Sequence, residues 1–310
     1  MSFVLQHDET IPQGVRRIVR GCIDDALERL TGNGGVVSDA AVHEARKRFK
    51  EIRGVLRLVR GELGRRVFRR ETRVFRDAAR PLSAVRDAAV LVDSLDRLIE
   101  QSAGRVTPGQ LALLRQTLVE RQRAARGQVM TGDRSVSDVV RRLEQAKTRV
   151  GRWPLRRRGW SAIEDGLRTV YAQGRRAMRD ARAGVSDEAL HEWRKRAKDL
   201  RYALELLQSM GPKTVARLAE RAHRLTDLLG DDHDLAVLRT IARDASAGRA
   251  GDEYALLAPL IAERREALQH DAIALGDTLY EERPRDFVRR VQGYWKLTRQ
   301  AREPAAPARA

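Results

Sequence analysis

The stretch HEARKRFKEIRGVLRLVRGELG, residues 43–64, recurs in related form as HEWRKRAKDLRYALELLQSMGP, residues 191–212, 148 positions later. A second pair of segments follows each copy, at residues 80–95 and 226–241, and aligns Asp87 with Asp234. Because both pairs occur in the same order, we interpret them as an internal duplication. The duplication predicts two halves that share one order of structural elements.

The composition of the chain and the positions of its glycines and prolines predict an all-α fold. Hydrophobic residues make up 42% of the sequence but aromatic residues only 5%, and Ala, Leu, Arg and Glu dominate. Glycines and prolines separate periodic segments of helical length, and Ser38, Thr107 and Ser186 are suited to cap helix starts. Amphipathic helices are expected before each basic copy, at Val15–Leu30 and Ile163–Arg182.

Each copy places its basic residues on one face of a helix, at about 100° per residue. The opposite face is apolar and includes Phe49 in the first copy and Trp193 in the second, which we expect to be core anchors. The polar faces are the candidate binding surface, and they comprise His43, Arg46, Lys47, Lys50, Arg53 and Arg57 in the first copy and His191, Arg194, Lys195, Lys198, Arg201 and Tyr202 in the second.

The charge of the chain indicates a polyanionic partner. The formal net charge is +18, and like charges at helical spacing repel unless an anion lies across them. Only seven residues are lysines, and four of these are Lys47, Lys50, Lys195 and Lys198. A row of cations along roughly 20 Å of helix suits a linear chain of phosphates better than one phosphate ester. The alternative is an ordinary solvated face in an arginine-rich protein.

Two further groups of residues carry weaker signals. Arg168, Tyr171 and Arg175 share one face of the helix before the second basic copy, so they either extend the anion site or form an ordinary exposed face. The run Asp231–Asp234, with His223 ten residues earlier, resembles a metal cluster. We favour a cap after a turn at Gly230 or pairing with arginines, and expect no metal and no other cofactor.

Several classes of protein are disfavoured. Cys22 is the sole cysteine, no signal peptide is recognisable at the N-terminus, and no stretch of about eighteen apolar residues occurs. We therefore expect a cytoplasmic protein without a membrane anchor. The sequence has no Gly-rich phosphate loop, nucleophile elbow or zinc-binding helix motif, so we expect no catalysis.

The duplicated His-x-x-Arg-Lys-x-x-Lys-x-x-Arg pattern, with LSAVRDAAVL and LGDDHDLAVL following, resembles the conserved histidine α-helical domain (CHAD) family over roughly residues 5–300. The resemblance implies two four-helix bundles of long antiparallel helices, related by a pseudo-two-fold axis, with the basic helices lining a groove. It also implies binding of inorganic polyphosphate and association with polyphosphate granules. Gly54 stands where Tyr202 stands, and Glu205 where Arg57 stands, so we expect unequal contributions from the halves.

The expected organisation is a first helical repeat at 1–134, a second at 135–300 and a disordered tail at 301–310. Two rival functions remain. The first is a nucleic-acid-binding basic protein, although the stripes lack aromatic residues for base stacking. The second is a metal-binding or phosphate-transfer protein that uses His43 and His191. The sequence leaves the oligomeric state and the preferred polyphosphate chain length open.

Overall fold

The structure is a computed structural model that describes residues 2–32, 38–80, 82–102, 104–130, 133–211, 213–246 and 251–300. For helical residues 83–88, 125–130, 133–135, 246 and 251 it describes the backbone alone. These residues form eleven α-helices and no β-strand, which confirms the all-α prediction. The helices are α1 Ile11–Thr31, α2 Asp39–Leu58, α3 Arg60–Ala79, α4 Ser83–Gln101, α5 Ala112–Met130, α6 Asp133–Val150, α7 Glu164–Ala183, α8 Asp187–Leu207, α9 Lys213–Ser246, α10 Gly251–Leu279 and α11 Pro284–Gln300.

The two basic copies form α2 and α8, and both helices begin as the sequence predicts. The Ser38 hydroxyl accepts a hydrogen bond from the Ala41 amide, and the Ser186 hydroxyl accepts one from Ala189, each at 3.1 Å. These caps fix the register in which each basic stripe starts. The apolar faces are buried as expected, with Phe49 and Trp193 both at 0% exposure.

The halves differ in the element that follows the basic helix. The first half has two helices, α3 and α4, whereas the second half has the single 34-residue α9. The expected turn at Gly230 is wrong, because Gly230 is buried inside α9. A Cβ at Gly230 would lie 3.8 Å from Arg194 Nε, an ordinary van der Waals contact, so this glycine lies on the side of α9 that faces Arg194 of α8.

Two hydrophobic cores hold the helices together, and each draws on both halves of the sequence. The larger core is built mainly on α1, α2, α3, α6, α7, α8, α11 and the N-terminal part of α9, and the smaller on α4, α5, α10 and the C-terminal part of α9. The 134/135 boundary lies in the first turn of α6. The division into repeats and the pseudo-two-fold axis stay predictions, and residues 301–310 lie outside the described residues.

Within the described part of the chain, no helix is both long enough and apolar enough to cross a bilayer.

Candidate functional site

The two basic helices pack directly against each other at equivalent positions of the duplication. A Cβ built on Gly54 of α2 would lie only 2.6 Å from the Cβ of Tyr202 on α8. Glycine is therefore required for this close approach, and the tyrosine fills the space that it leaves. The Tyr202 ring is buried and meets Phe3 edge-on, with the centroids 6.3 Å apart.

An ion pair ties the same two helices together. Arg57 Nε of α2 lies 3.0 Å from Asp199 Oδ2 of α8, and Arg196 lies 3.8 Å from the same carboxylate oxygen. Burial raises the pKa of Asp199, and the nearby Arg57 and Arg196 oppose that rise. Arg57 therefore has a positioning role in the unliganded protein as well as a place in the predicted basic stripe.

A cavity of about 590 Å³ lies beside this helix crossing. We call it the basic groove. The α4 and α9 helices complete its walls with apolar and titratable side chains. Its lining comprises Arg46, Lys50, Arg53 and Arg57 of α2, Val90 and Leu91 of α4, His191, Arg194, Lys195, Arg196, Lys198, Asp199 and Tyr202 of α8, and His233, Asp234 and Val237 of α9.

Three of the predicted residues do not line the basic groove. His43 and Lys47 are exposed nearer the N-terminus of α2. Arg201 turns away, with Nε 2.6 Å from Glu205 and Nη1 3.3 Å from Thr226 Oγ1. Glu205, which stands where Arg57 stands in the first copy, thus pairs with Arg201.

Arginine donors on side chains that line the basic groove are buried without a hydrogen-bond partner among the described atoms, and they include Arg53 Nε and Arg194 Nε. His191 Nδ1 is likewise buried without a partner. A buried donor that lacks an acceptor costs about 1–3 kcal/mol, because it has lost its bonds to water. Such donors, contributed by both basic helices to one cavity, indicate that the groove is shaped for an acceptor-rich ligand.

Lys198 shows how strongly the cations of the basic groove act on one another. Burial, together with the charges of Arg194, Lys50 and Arg201, lowers the pKa of Lys198 to about 7, while Asp234 opposes this shift. Burial also lowers the pKa of Arg53, with Arg57 adding to the effect. The groove therefore holds positive charge at an energetic cost that an anion would remove.

A pair of histidines lies at one end of the basic groove. The rings of His191 on α8 and His233 on α9 have centroids 4.7 Å apart. Burial, together with the neighbouring Arg194 and Lys198, lowers the pKa of both rings, and that of His233 to about 4. Both imidazoles are therefore mainly neutral at pH 7 when the groove holds no anion.

Residues 21–243 of the chain match the family model described as CHAD domain. The chain belongs to the CHAD family. Among solved structures it is similar to the CHAD domain from the plant Ricinus communis, at 15% identity and a TM-score of 0.58, with 94% of this chain and 95% of that chain covered. At this identity the likeness shows the fold alone. No curated protein matches the sequence. The CHAD family is associated in general with polyphosphate binding.

The possible extension of the site on α7 does not join the basic groove of this CHAD domain. Tyr171 was expected on the polar face, but it is 0% exposed, stacks on Phe287 at 3.9 Å and donates a hydrogen bond to the Leu279 carbonyl at 3.2 Å. It is therefore a core residue. Arg168 pairs with Asp165, and Arg175 Nε donates to the Tyr280 carbonyl at 3.0 Å; neither residue lines the groove.

Acidic residues of the run Asp231–Asp234 pair with arginines. Asp231 lies 3.3 Å from Arg97, and buried Asp232 lies 2.9 Å from Arg265. Among the described residues, no three His, Cys, Asp or Glu side chains are grouped to hold a metal ion.

His233 and Asp234 are site residues of this CHAD domain that the helical-face argument missed. They reach the groove from α9, next to Arg194 and Lys198. The available signal was the alignment of Asp87 with Asp234 in the second pair of repeated segments. The side chain of Asp87 lies outside the described residues.

Proposed function

We propose that this CHAD protein binds inorganic polyphosphate as an extended chain in the basic groove. The observation that carries the proposal is the set of cationic side chains from both basic helices that line one cavity, among which Arg53 Nε on α2 and Arg194 Nε on α8 are buried donors without acceptors. Phosphate oxygens are strong acceptors that match the guanidinium fork. Their negative charge also offsets the burial and the mutual repulsion that together lower the pKa of Lys198.

The arrangement of the cations favours a linear polymer over a small phosphate ester. From Arg46 to Arg57, α2 places cations along about 16 Å of helix. A second row of donors lies along α8 and includes His191, Arg194 and Lys198. A polymer that carries a charge on each repeating unit can neutralise several of these groups at once, whereas one phosphate group cannot.

The basic groove favours polyphosphate over single-stranded nucleic acid. Single-stranded nucleic acids gain much of their affinity from bases stacked on exposed aromatic rings. Apart from the two histidines, Tyr202 is the one aromatic side chain among the described lining residues, and its ring is buried against Phe3. The groove thus offers charge with little stacking surface.

CHAD proteins are generally non-catalytic binding domains, and we propose binding without turnover here. The buried Asp199 carboxylate is held in ion pairs with Arg57 and Arg196, which assigns it a positioning role between α2 and α8. High affinity for long chains would bring the protein to polyphosphate granules, so we propose that it associates with them in the cytoplasm.

Calorimetry of the full chain across a salt series tests this proposal. The ligands are long-chain polyphosphate, tripolyphosphate and single-stranded RNA. We expect long-chain polyphosphate to bind at least about tenfold more tightly than the other two, because only it spans the groove and meets its charge density. The slope of log K against log salt should be about −4 or steeper, because about six phosphates are neutralised within the groove itself. Equal or tighter RNA binding would overturn the proposal.

A further inference from the structure

The α3 helix carries a second basic surface that lies outside the basic groove. Gly64 interrupts the helix with φ 69°, and a regular segment follows from Arg65. Six arginines of this segment and its cap lie within about 60° of the direction of Arg69, at 100° per residue. All six are exposed, and they are Arg65, Arg66, Arg69, Arg73, Arg76 and Arg80. We call them the arginine stripe.

Most of the arginine stripe is not neutralised. Arg76 lies 3.0 Å from Asp77, but Arg65, Arg66, Arg69 and Arg73 have no carboxylate partner among the described residues. Their spacing of three and four residues makes like charges neighbours, which destabilises a helix that has no anion beside it. By contrast, Arg70 of α3, which is not part of the stripe, has a carboxylate partner. Buried Glu71 lies 2.7 Å from Arg70 and 3.0 Å from Arg149.

One end of the arginine stripe adjoins the basic groove. The rings of Phe49 on α2 and Phe75 on α3 have centroids 6.4 Å apart, so the C-terminal end of α3 packs beside the middle of α2. Arg76, next to Phe75, is close enough to groove residue Arg53 for its charge to contribute to the lowered pKa of that arginine. From Arg76 the stripe runs toward the N-terminal end of α3, away from this junction.

The far end of the arginine stripe meets another basic segment. Glu62 in the first turn of α3 accepts hydrogen bonds from the backbone amides of Arg156 at 2.9 Å and Arg157 at 2.8 Å. Residues 156–158 are three consecutive exposed arginines. Positive surface therefore continues from the groove, over about 16 Å of α3 between Arg65 and Arg76, to this loop.

We propose that the arginine stripe binds the part of a polyphosphate chain that extends beyond the basic groove. This inference rests on the proposed function, since the groove must first hold the chain. Exposed guanidinium groups at helical spacing contact phosphate oxygens along a flexible chain without fixing a sequence or a base. Phe68, the aromatic residue beside the stripe, is partly covered by the Arg60 guanidinium at 5.0 Å, so stacking surface is limited.

The test compares two full-length variants that lose the same charge. The stripe variant carries Arg65→Gln, Arg66→Gln, Arg69→Gln and Arg73→Gln. Its matched control removes exposed arginines on α7 and α11 that do not line the groove, by R176Q, R179Q, R285Q and R289Q. Circular dichroism establishes that both variants are folded. Calorimetry then measures tripolyphosphate, long-chain polyphosphate and single-stranded RNA.

We expect the stripe variant to bind long-chain polyphosphate about tenfold more weakly than the wild type, with a salt slope about 3 units shallower. Its affinity for tripolyphosphate should stay unchanged, because that ligand does not extend beyond the groove. The control should keep the wild-type affinity for both ligands.

Three results would overturn the inference. If the wild type binds long chains and the stripe variant binds them equally well, the stripe has no such role although the proposed function stands. If the stripe variant loses RNA binding alone, the surface serves nucleic acid. If the wild type itself fails to bind long-chain polyphosphate, both proposals fail.

Discussion

Gly54 of α2 and Tyr202 of α8 occupy equivalent positions in the duplication and pack against each other where the basic helices cross. A pair of tyrosines would not fit there, and a pair of glycines would leave a hole. The difference between the two copies is therefore what allows the two stripes to form one groove. This contact links the sequence asymmetry to the geometry of the site.

Gly54→Ala should destabilise the protein. The added methyl group would lie 2.6 Å from the Cβ of Tyr202, which belongs to the opposing helix and cannot swing aside. We expect the free energy of unfolding to fall by about 1–3 kcal/mol, measured by chemical denaturation. Gly293→Ala is the control, because nothing lies within 4 Å of that position and a helical alanine is tolerated there. Equal stability of the two variants would contradict the packing argument.

Lys198 should couple polyphosphate binding to pH. Its pKa is about 7 in the free groove, and a bound polyanion raises it, so binding takes up a proton above pH 7. The affinity of the wild type should therefore fall between pH 7 and 9. Lys198→Arg keeps its charge throughout this range and should show a smaller fall. The terminal phosphates of the ligand titrate identically with both proteins, so an equal pH dependence would exclude this role of Lys198.

Lys198 should lower the stability of the free protein and strengthen its binding of polyphosphate. A lysine whose folded-state pKa is lowered binds fewer protons than in the unfolded chain near pH 7, so its contribution to stability improves as the pH rises from about 7. Lys198→Met should therefore raise the free energy of unfolding at pH 7 by about 1 kcal/mol or more and should weaken polyphosphate binding. Denaturation and calorimetry on one preparation measure both; a loss of stability would contradict the account.

Asp199→Asn should act oppositely on stability and on affinity. The carboxylate joins α8 to Arg57 of α2 at 3.0 Å in a buried position, so its loss should cost about 1–3 kcal/mol of unfolding free energy. It also removes a negative charge from the groove lining, so polyphosphate affinity should stay equal or increase. Weaker binding by the folded variant would show that Asp199 positions Arg57 for the ligand.

The duplicated pattern predicted α2 and α8, their caps and their buried faces, because all of these depend on spacing within one helix. Features that depend on packing between helices could not be predicted from the spacing within one helix. Tyr171 lies on a face that a helical projection leaves outside the apolar stripe, but Phe287 of α11 covers that face. Gly230 signals a turn by its type, but it is buried inside the continuous helix α9, with Arg194 of α8 beside it.

The groove was predictable in part for the same reason. Arg46, Lys50, Arg53, Arg194 and Lys198 were expected on two stripes, and the structure places them around one cavity. His233 and Asp234 come from a helix distant in sequence, and no periodic pattern reveals which side of α9 meets α8.

The central claim is that both basic helices hold one polyphosphate chain between them, and the most direct measurement compares variants of one arginine from each helix. Calorimetry with long-chain polyphosphate is carried out on Arg53→Gln, Arg194→Gln and the double variant, with R176Q and R289Q as charge-matched controls. We expect each single change to weaken binding about fivefold and to make the salt slope about 0.7 units shallower, the double variant to lose more than either, and the controls to bind as the wild type. Unchanged binding after either groove substitution would contradict the claim that the two helices share the ligand.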